Sequence, residues 1–192
     1  MGRWKPDARG RMLVAAMELF AERGFEQTTA GDIAERAGVT ERTFFRYFAD
    51  KREVLFAGSH HLEELMVRAL SATPAGTPPL DQVAAAVHAA GEFFVDKDFP
   101  RRRHTVITAN AELHERELIK LARLSAAFAA ALRRRGVKEP AASLAAETGV
   151  AVFKVAFERW ITSRTRRTYA EFVQESLDEL RTVVAGHRLR ES

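Results

Sequence analysis

Apolar residues recur at steps of three and four along nearly the whole chain, and Val, Ile and Thr are nowhere gathered into the alternating runs of a half-buried strand. That period turns one stripe of each segment inward, which suits helices packed on helices and cannot be laid on a pleated sheet. The expectation is an all-α fold of about nine helices. A first helix is expected over 7–23, with Met12, Leu13, Ala16, Leu19 and Phe20 on one face and Gly24 as its left-handed stop. Thr29 stands three residues before Asp32, close to a capping box, and opens a short helix through Ile33, Ala34 and Ala37 that Gly38 ends.

Thr40 is placed to cap a third helix, and Asp50 with Glu53 to open a fourth. That fourth helix is expected to run on through Val54, Leu55, Leu62, Leu65, Met66 and Leu70. The proline- and glycine-rich stretch 72–79 cannot continue it. Further helices are expected over 80–97, 101–110, 112–135, 141–165 and 168–187, the last two long and amphipathic.

Composition narrows function by exclusion. The absence of cysteine removes disulfides, thiolate metal ligation and a cysteine nucleophile. No apolar run approaches the roughly 18 residues of a spanning helix, and the first residues lack the apolar core of a signal peptide. A cytoplasmic protein with no membrane partner is expected. A net charge of +4 among 192 residues is too small to identify a nucleic-acid binder, so that question rests on where the cations lie.

Their placement in 32–48 is informative: a helix, a glycine turn and a second short helix, the layout of a helix-turn-helix. Stepping about 100° per residue from Phe44, Phe48 and Glu41 fall on the same side, Arg42 and Arg46 fall opposite, and Thr43 lies about 100° round, with Phe45 and Tyr47 flanking the outward face. In a major groove such a helix presents arginine to base edges and its aromatic margins to the phosphate walls. Arg42 is the best base reader, because its planar fork donates twice to guanine. Thr29, Thr40, Thr43 and Lys51 stand near helix starts, where anions bind, and Arg3, Lys5 and Arg9 form a short basic arm. The same geometry also describes a solvated face on an ordinary bundle, and the residues alone leave both readings open.

The stretch Ala16-Met-Glu-Leu-Phe-Ala-Glu-Arg-Gly-Phe-Glu-Gln-Thr-Thr29, followed by Asp32-Ile-Ala-Glu-Arg-Ala-Gly-Val-Thr-Glu-Arg-Thr-Phe-Phe-Arg-Tyr-Phe-Ala-Asp-Lys51, resembles the TetR family of bacterial transcriptional regulators. The resemblance implies DNA contacts at Glu41, Arg42, Thr43, Phe45, Arg46, Tyr47 and Lys51. Two departures stand out. Many members place glycine where Arg42 stands and tyrosine where Phe45 stands, so operator preference is expected to differ, and Phe45 has no phenolic hydroxyl for a phosphate. The implied organisation is a helix-turn-helix DNA-binding domain over 1–50 and a helical ligand-binding and dimerisation domain over 51–192. The implied function is ligand-responsive transcription regulation, most simply a homodimeric repressor on a near-palindromic operator, released by a small lipophilic effector.

In that family the final two helices pair with their partners, here the segments bearing Val152, Val155, Ala156, Phe172, Leu177, Leu180 and Val184; periodicity alone also allows these stripes to pack within one chain. For the effector, Phe93, Phe94, Phe99, Phe128, Phe153, Phe157 and Trp160 supply apolar surface, and Asn110 a polar group. Arg101, Arg102 and Arg103 follow Pro100 at an expected helix start, where a phosphate or carboxylate is favoured. The runs Pro100-Arg-Arg-Arg103, Glu112-Leu-His-Glu-Arg-Glu117 and Ala156-Phe-Glu-Arg-Trp160 are similar to a TetR subgroup associated with acyl-CoA-like ligands, including mycofactocin-type regulators. An acyl-CoA is therefore one form the effector takes in this reading. A DNA-binding activator or architectural protein is the alternative, followed by an all-α ligand carrier. No cofactor is expected, and no metal: His60 and Glu64 share a helix face, but no Glu-x-x-His occurs. Nor is there a Gly-x-Ser-x-Gly elbow, a phosphate loop or a His-Glu-x-x-His to suggest an enzyme.

Overall fold

A computed structural model describes residues 7–185. Ten α-helices follow one another with no strand among the described residues: α1 (Ala8–Arg23), α2 (Ala30–Arg36), α3 (Glu41–Tyr47), α4 (Lys51–Leu55), α5 (Ser59–Ser71), α6 (Pro79–Ala89), α7 (Asp98–Thr108), α8 (Ala111–Arg134), α9 (Ala141–Thr162) and α10 (Tyr169–Val184). A 3-10 turn, Ala90–Glu92, extends α6. The fold is all-α, as the period demands.

The helix starts are where local chemistry puts them. Asp7 caps α1 by accepting from the Gly10 amide at 2.7 Å. Thr29 and Asp32 form a reciprocal capping box on α2, Thr40 caps α3, Asp50 caps α4, and Thr168 with Glu171 forms a second box on α10. Each side-chain oxygen satisfies an amide that has no intrahelical partner.

One expected helix is two. The fourth breaks after Leu55: the Phe56 amide turns back to the Glu53 and Val54 carbonyls, and the Ser59 hydroxyl donates to the Phe56 carbonyl at 2.8 Å. Gly58 lies in this break, where its low helix propensity permits the redirection. Two more expected boundaries shift. The helix placed at 80–97 ends at the 3-10 turn, and the helix placed at 101 begins three residues earlier, so Pro100 sits in its first turn, where no amide is needed. The end expected at residue 187 lies outside the described residues.

The chain forms two compact units, residues 1–59 with 101–117 and residues 60–100 with 118–192. The first unit therefore reaches past the boundary expected at residue 50 and recruits a second stretch of chain. Charged contacts account for this. Arg52 pairs with Asp50 at 2.8 Å and with Glu112, and Arg116 donates through Nε to Glu53 at 2.7 Å. Arg103 donates to the Leu55 carbonyl at 2.6 Å and holds Glu117 at 3.0 Å. Ile107 and Leu113 are buried within the same stretch.

The apolar core of the second unit is built from Met66 and Leu70 of α5, Val83 and Val87 of α6, Phe128 and Leu132 of α8, Val150 and Phe153 of α9, and Phe172 and Val173 of α10. At Gly149 the α9 backbone closes so tightly on α6 that an added Cβ would lie 1.9 Å from Val83 Cγ1. Arg135 staples this unit from its edge, donating to the Gln82 side chain at 2.6 Å and to the Ser71 and Thr73 carbonyls at 2.7 Å each. These bonds tie three segments together, a larger role than a cation at a helix C-terminus has through the dipole alone.

Candidate functional site

Within the first unit, α1, α2 and α3 enclose a small core. Met12, Phe20, Ile33 and Phe44 are buried, with Phe48 at the end of α3 sealing it. The turn between α2 and α3 depends on Gly38, whose φ of +66° a side chain would strain. Its amide returns to the Glu35 carbonyl at 3.0 Å and the Val39 amide to the Ala34 carbonyl at 2.9 Å. This paired arrangement ends α2 and starts α3 in a new direction. Arg36 locks α2 to α1 through two parallel hydrogen bonds to Glu22 at 2.9 and 2.8 Å.

With Phe44 and Phe48 inside, the other side of α3 is exposed. It presents Arg42, Phe45, Arg46 and Tyr47, with Thr43 half-buried, while Glu41 is exposed at the helix start on the Phe44 side. Phe45 is 51% exposed and Tyr47 43%, large apolar surfaces for so small a helix. The Arg46 guanidinium lies 5.1 Å from the Tyr47 ring centroid, a stacking that pre-orients its donors. Glu41 differs from the others, for its carboxylate lies against Gly31 in the first turn of α2.

Several expected contact residues carry structural duties. The Thr29 hydroxyl donates to Asp32 at 2.7 Å, and the Thr40 and Thr43 hydroxyls are 3.0 Å apart. Lys51 Nζ donates to the Phe25 carbonyl at 2.9 Å and the Glu26 carbonyl at 3.2 Å, over the Phe25 ring at 4.3 Å. Its charge is thus partly spent on the start of the α1–α2 connection. Arg9 belongs to α1 and donates to the Ala57 carbonyl. Arg3 and Lys5 lie outside the described residues.

The residues expected around an effector divide between the units. Phe94, Phe153, Phe157 and Trp160 meet in the second unit, with Phe93 edge-on to Phe94 at 5.5 Å. Phe128 lies in that unit's core, and Phe99 is on α7. Arg101, Arg102, Arg103 and Asn110 belong to the first unit. Arg103 is half-buried and committed to Glu117, the Leu55 carbonyl and the Phe56 ring, so its role is to hold α4. Asn110 donates to the Val106 carbonyl at 2.6 Å. A residue that the sequence reading passes over, Tyr169, joins the rings at 5.1 Å from Phe94 and 5.9 Å from Trp160. A tyrosine opening a helix at an apolar position is the signal that could have found it.

The stripe on the last two helices is also partitioned. Val152, Ala156, Phe172 and Leu177 are buried within their own unit and Leu180 is half-buried, while Val155 and Val184 are exposed. Leu144 and Ala151 continue the exposed line on α9.

A buried two-phenylalanine seam beneath an arginine-bearing face, joined through a glycine turn to a second short helix, defines a helix-turn-helix protein. The profile of bacterial regulatory proteins of the tetR family matches residues 12–57, the stretch that builds this face. It is 41% identical over 81 residues to the transcriptional regulator TcmR of Streptomyces glaucescens, a match covering 42% of this chain and 36% of that protein. The chain thus spans about a third of the length of that relative. Over nearly its whole length it shares the fold of a TetR-family transcriptional regulator of Syntrophomonas wolfei, with a TM-score of 0.68, 18% identity, and 96% and 98% of the two chains covered. The Thermus thermophilus repressor FadR, solved in complex with lauroyl-CoA, is similar at 27% identity and a TM-score of 0.54, covering 96% of this chain and 97% of that one. No helix among the described residues is long and apolar enough to cross a membrane.

Proposed function

We propose that this protein is a dimeric transcriptional repressor in the bacterial cytoplasm, which binds a near-palindromic operator through α3 and is released by a small lipophilic effector held in its second unit. The observation that carries the reading is the exposed α3 face, where Arg42 and Arg46 project between two solvent-facing rings over a sealed core. A short helix anchored on one side only can lie in the major groove and deliver side chains to base edges. Arg42 takes the base-reading role and Arg46 divides between base and phosphate. Thr29, Thr40, Thr43 and Lys51 approach the phosphates through amides and remaining donors. Phe45 and Tyr47 pack on the sugar walls.

The exposed apolar line Leu144, Ala151 and Val155 on α9 with Val184 on α10 supports dimerisation, since a second copy would cover it. Two-fold symmetry then sets the half-site spacing at about one or more turns of duplex. FadR, a repressor in complex with an acyl-CoA, supports both the sign of regulation and a lipophilic effector.

Selection of bound molecules from a randomised duplex pool at near-physiological salt tests the core of this reading. Enrichment of a palindrome with guanine in each half-site is the expected result. Recovery of no motif, with retention that merely follows ionic strength, would remove operator recognition.

A further inference from the structure

The hydroxyl of Tyr169 is buried and has no hydrogen-bond partner. The residue is 1% exposed, at the first position of α10, and its pKa is pushed up by burial alone. A phenylalanine would fill the same space without stranding a polar group in an apolar interior. The oxygen therefore asks for an explanation beyond packing.

Its surroundings suggest one. Phe94 sits at the centre of the ring cluster, with centroids 5.1 Å from Tyr169, 5.2 Å from Phe157, 5.6 Å from Trp160 and 6.2 Å from Phe153. The other four rings are borne by α9 and α10, whose packing in the core fixes them. Phe94 alone among the five stands on a non-helical stretch, after the 3-10 turn. Its neighbours Phe93 and Val95 are 40% and 88% exposed, so little apolar burial holds the backbone on either side. Lys97 ties the far end of the stretch by donating to the Ser163 and Thr165 carbonyls at 3.1 and 2.5 Å.

We propose that the cluster is a small-molecule site that Phe94 occupies in the absence of ligand, with the Tyr169 hydroxyl as the hydrogen-bond anchor for the incoming molecule. The displaced ring defines the ligand's size, a single aromatic ring, and the phenol defines its one polar feature, an oxygen that accepts a hydrogen bond. The ligand is uncharged at that end. A carboxylate entering among four rings would lose its water shell and gain one neutral donor in exchange. This names the chemical class of the effector and rests on the reading of the second unit as the effector-binding part.

Calorimetry on the full chain with three probes of matched size tests it: acetophenone, which carries the acceptor, ethylbenzene, which lacks it, and benzoate, which is charged. Acetophenone is expected to bind the native protein and to bind Tyr169→Phe about 2- to 12-fold more weakly, the net worth of one hydrogen bond. Ethylbenzene is expected to bind both proteins alike. Phe94→Ala, which removes the internal competitor, is expected to tighten both. Without ligand, Tyr169→Phe should melt no lower than the native protein, since it loses an oxygen that bonds to nothing. Unchanged acetophenone affinity in Tyr169→Phe, benzoate binding as tight as acetophenone, or no binding of either neutral probe to Phe94→Ala would each overturn the proposal. The duplex selection is independent of all three. An enriched palindrome with failed probe binding sinks the ligand site alone, while anchored acetophenone binding with no enriched motif upholds the site and removes the regulator.

Discussion

Replacing Lys51 by alanine separates two roles that the residue can hold at once. Its ammonium donates to the Phe25 and Glu26 carbonyls and lies 4.3 Å from the Phe25 ring centroid. A hydrogen bond from a charged donor is worth about 1.5–3 kcal/mol net, and the ring contact about 0.5–1 kcal/mol where solvent is near. Lys51 is half-buried and the freed carbonyls regain some water, so the lower end applies and the loss should be about 2 kcal/mol. Thermal melting followed by circular dichroism reads that loss directly. Titration of the selected operator over a range of salt reads the other role, since the slope of log affinity against log salt falls by about 0.9 for every phosphate left without its protein cation. If the ammonium works only within the protein, the variant melts lower while the slope stays at its native value. A variant that melts like the native protein would refute the stapling argument, whatever its affinity for DNA.

Arg42→Ala should weaken the selected operator by about 1–3 kcal/mol and relax preference at one symmetric base pair, measured by competition between single-base operator variants. Gly149→Ala should lower the melting temperature even though alanine is the better helix former by about 1 kcal/mol, because the new methyl meets a β-branched Val83 that has little rotamer freedom. The double variant with Val83→Ala should recover part of the loss, and a Gly149→Ala protein more stable than the native one would dispose of the close approach. Acid should weaken the fold through its capping carboxylates. The Thr29 hydroxyl, then its amide, holds Asp32 below the usual range, and the Thr168 amide, then its hydroxyl, does so for Glu171. Because both folded values are depressed, their contribution is complete above about pH 4–5 and is lost as pH falls through the folded values. Melting temperatures taken down that range should fall less in Asp32→Asn with Glu171→Gln than in the native chain.

What could be read from the sequence was what is settled within one turn of helix. Thr29 with Asp32, Thr40 before Phe44, and Gly38 after Ala37 act on neighbours, so their spacing alone locates α2 and α3. The inward placement of Phe44 and Phe48 follows from the same short-range geometry. What escaped depends on partners far along the chain. Phe56 continues the apolar period of α4, so nothing local marks the break that its backbone makes. Arg103 looks like an anion-binding group until Glu117 and the Leu55 carbonyl are seen beside it. Val152 and Val155 differ by one turn-step in sequence, yet one is core and the other surface, because the position of α6 and α10 against α9 decides which side closes. Tyr169 went unread for the same reason, since only the rings around it make its oxygen conspicuous.

The discontinuous make-up of the first unit limits how this protein can be taken apart. A chain cut after Ser59 keeps every residue of α1 to α4 but forfeits Arg103, Glu112 and Arg116, the groups that hold α4 in place, along with buried Ile107 and Leu113. Chimeras that exchange recognition heads between relatives must therefore transplant two segments together, 1–59 and 101–117. The helix-turn-helix unit is not a cassette, and any sequence drift in α7 or the start of α8 is answerable to α4 as well as to the helices that follow.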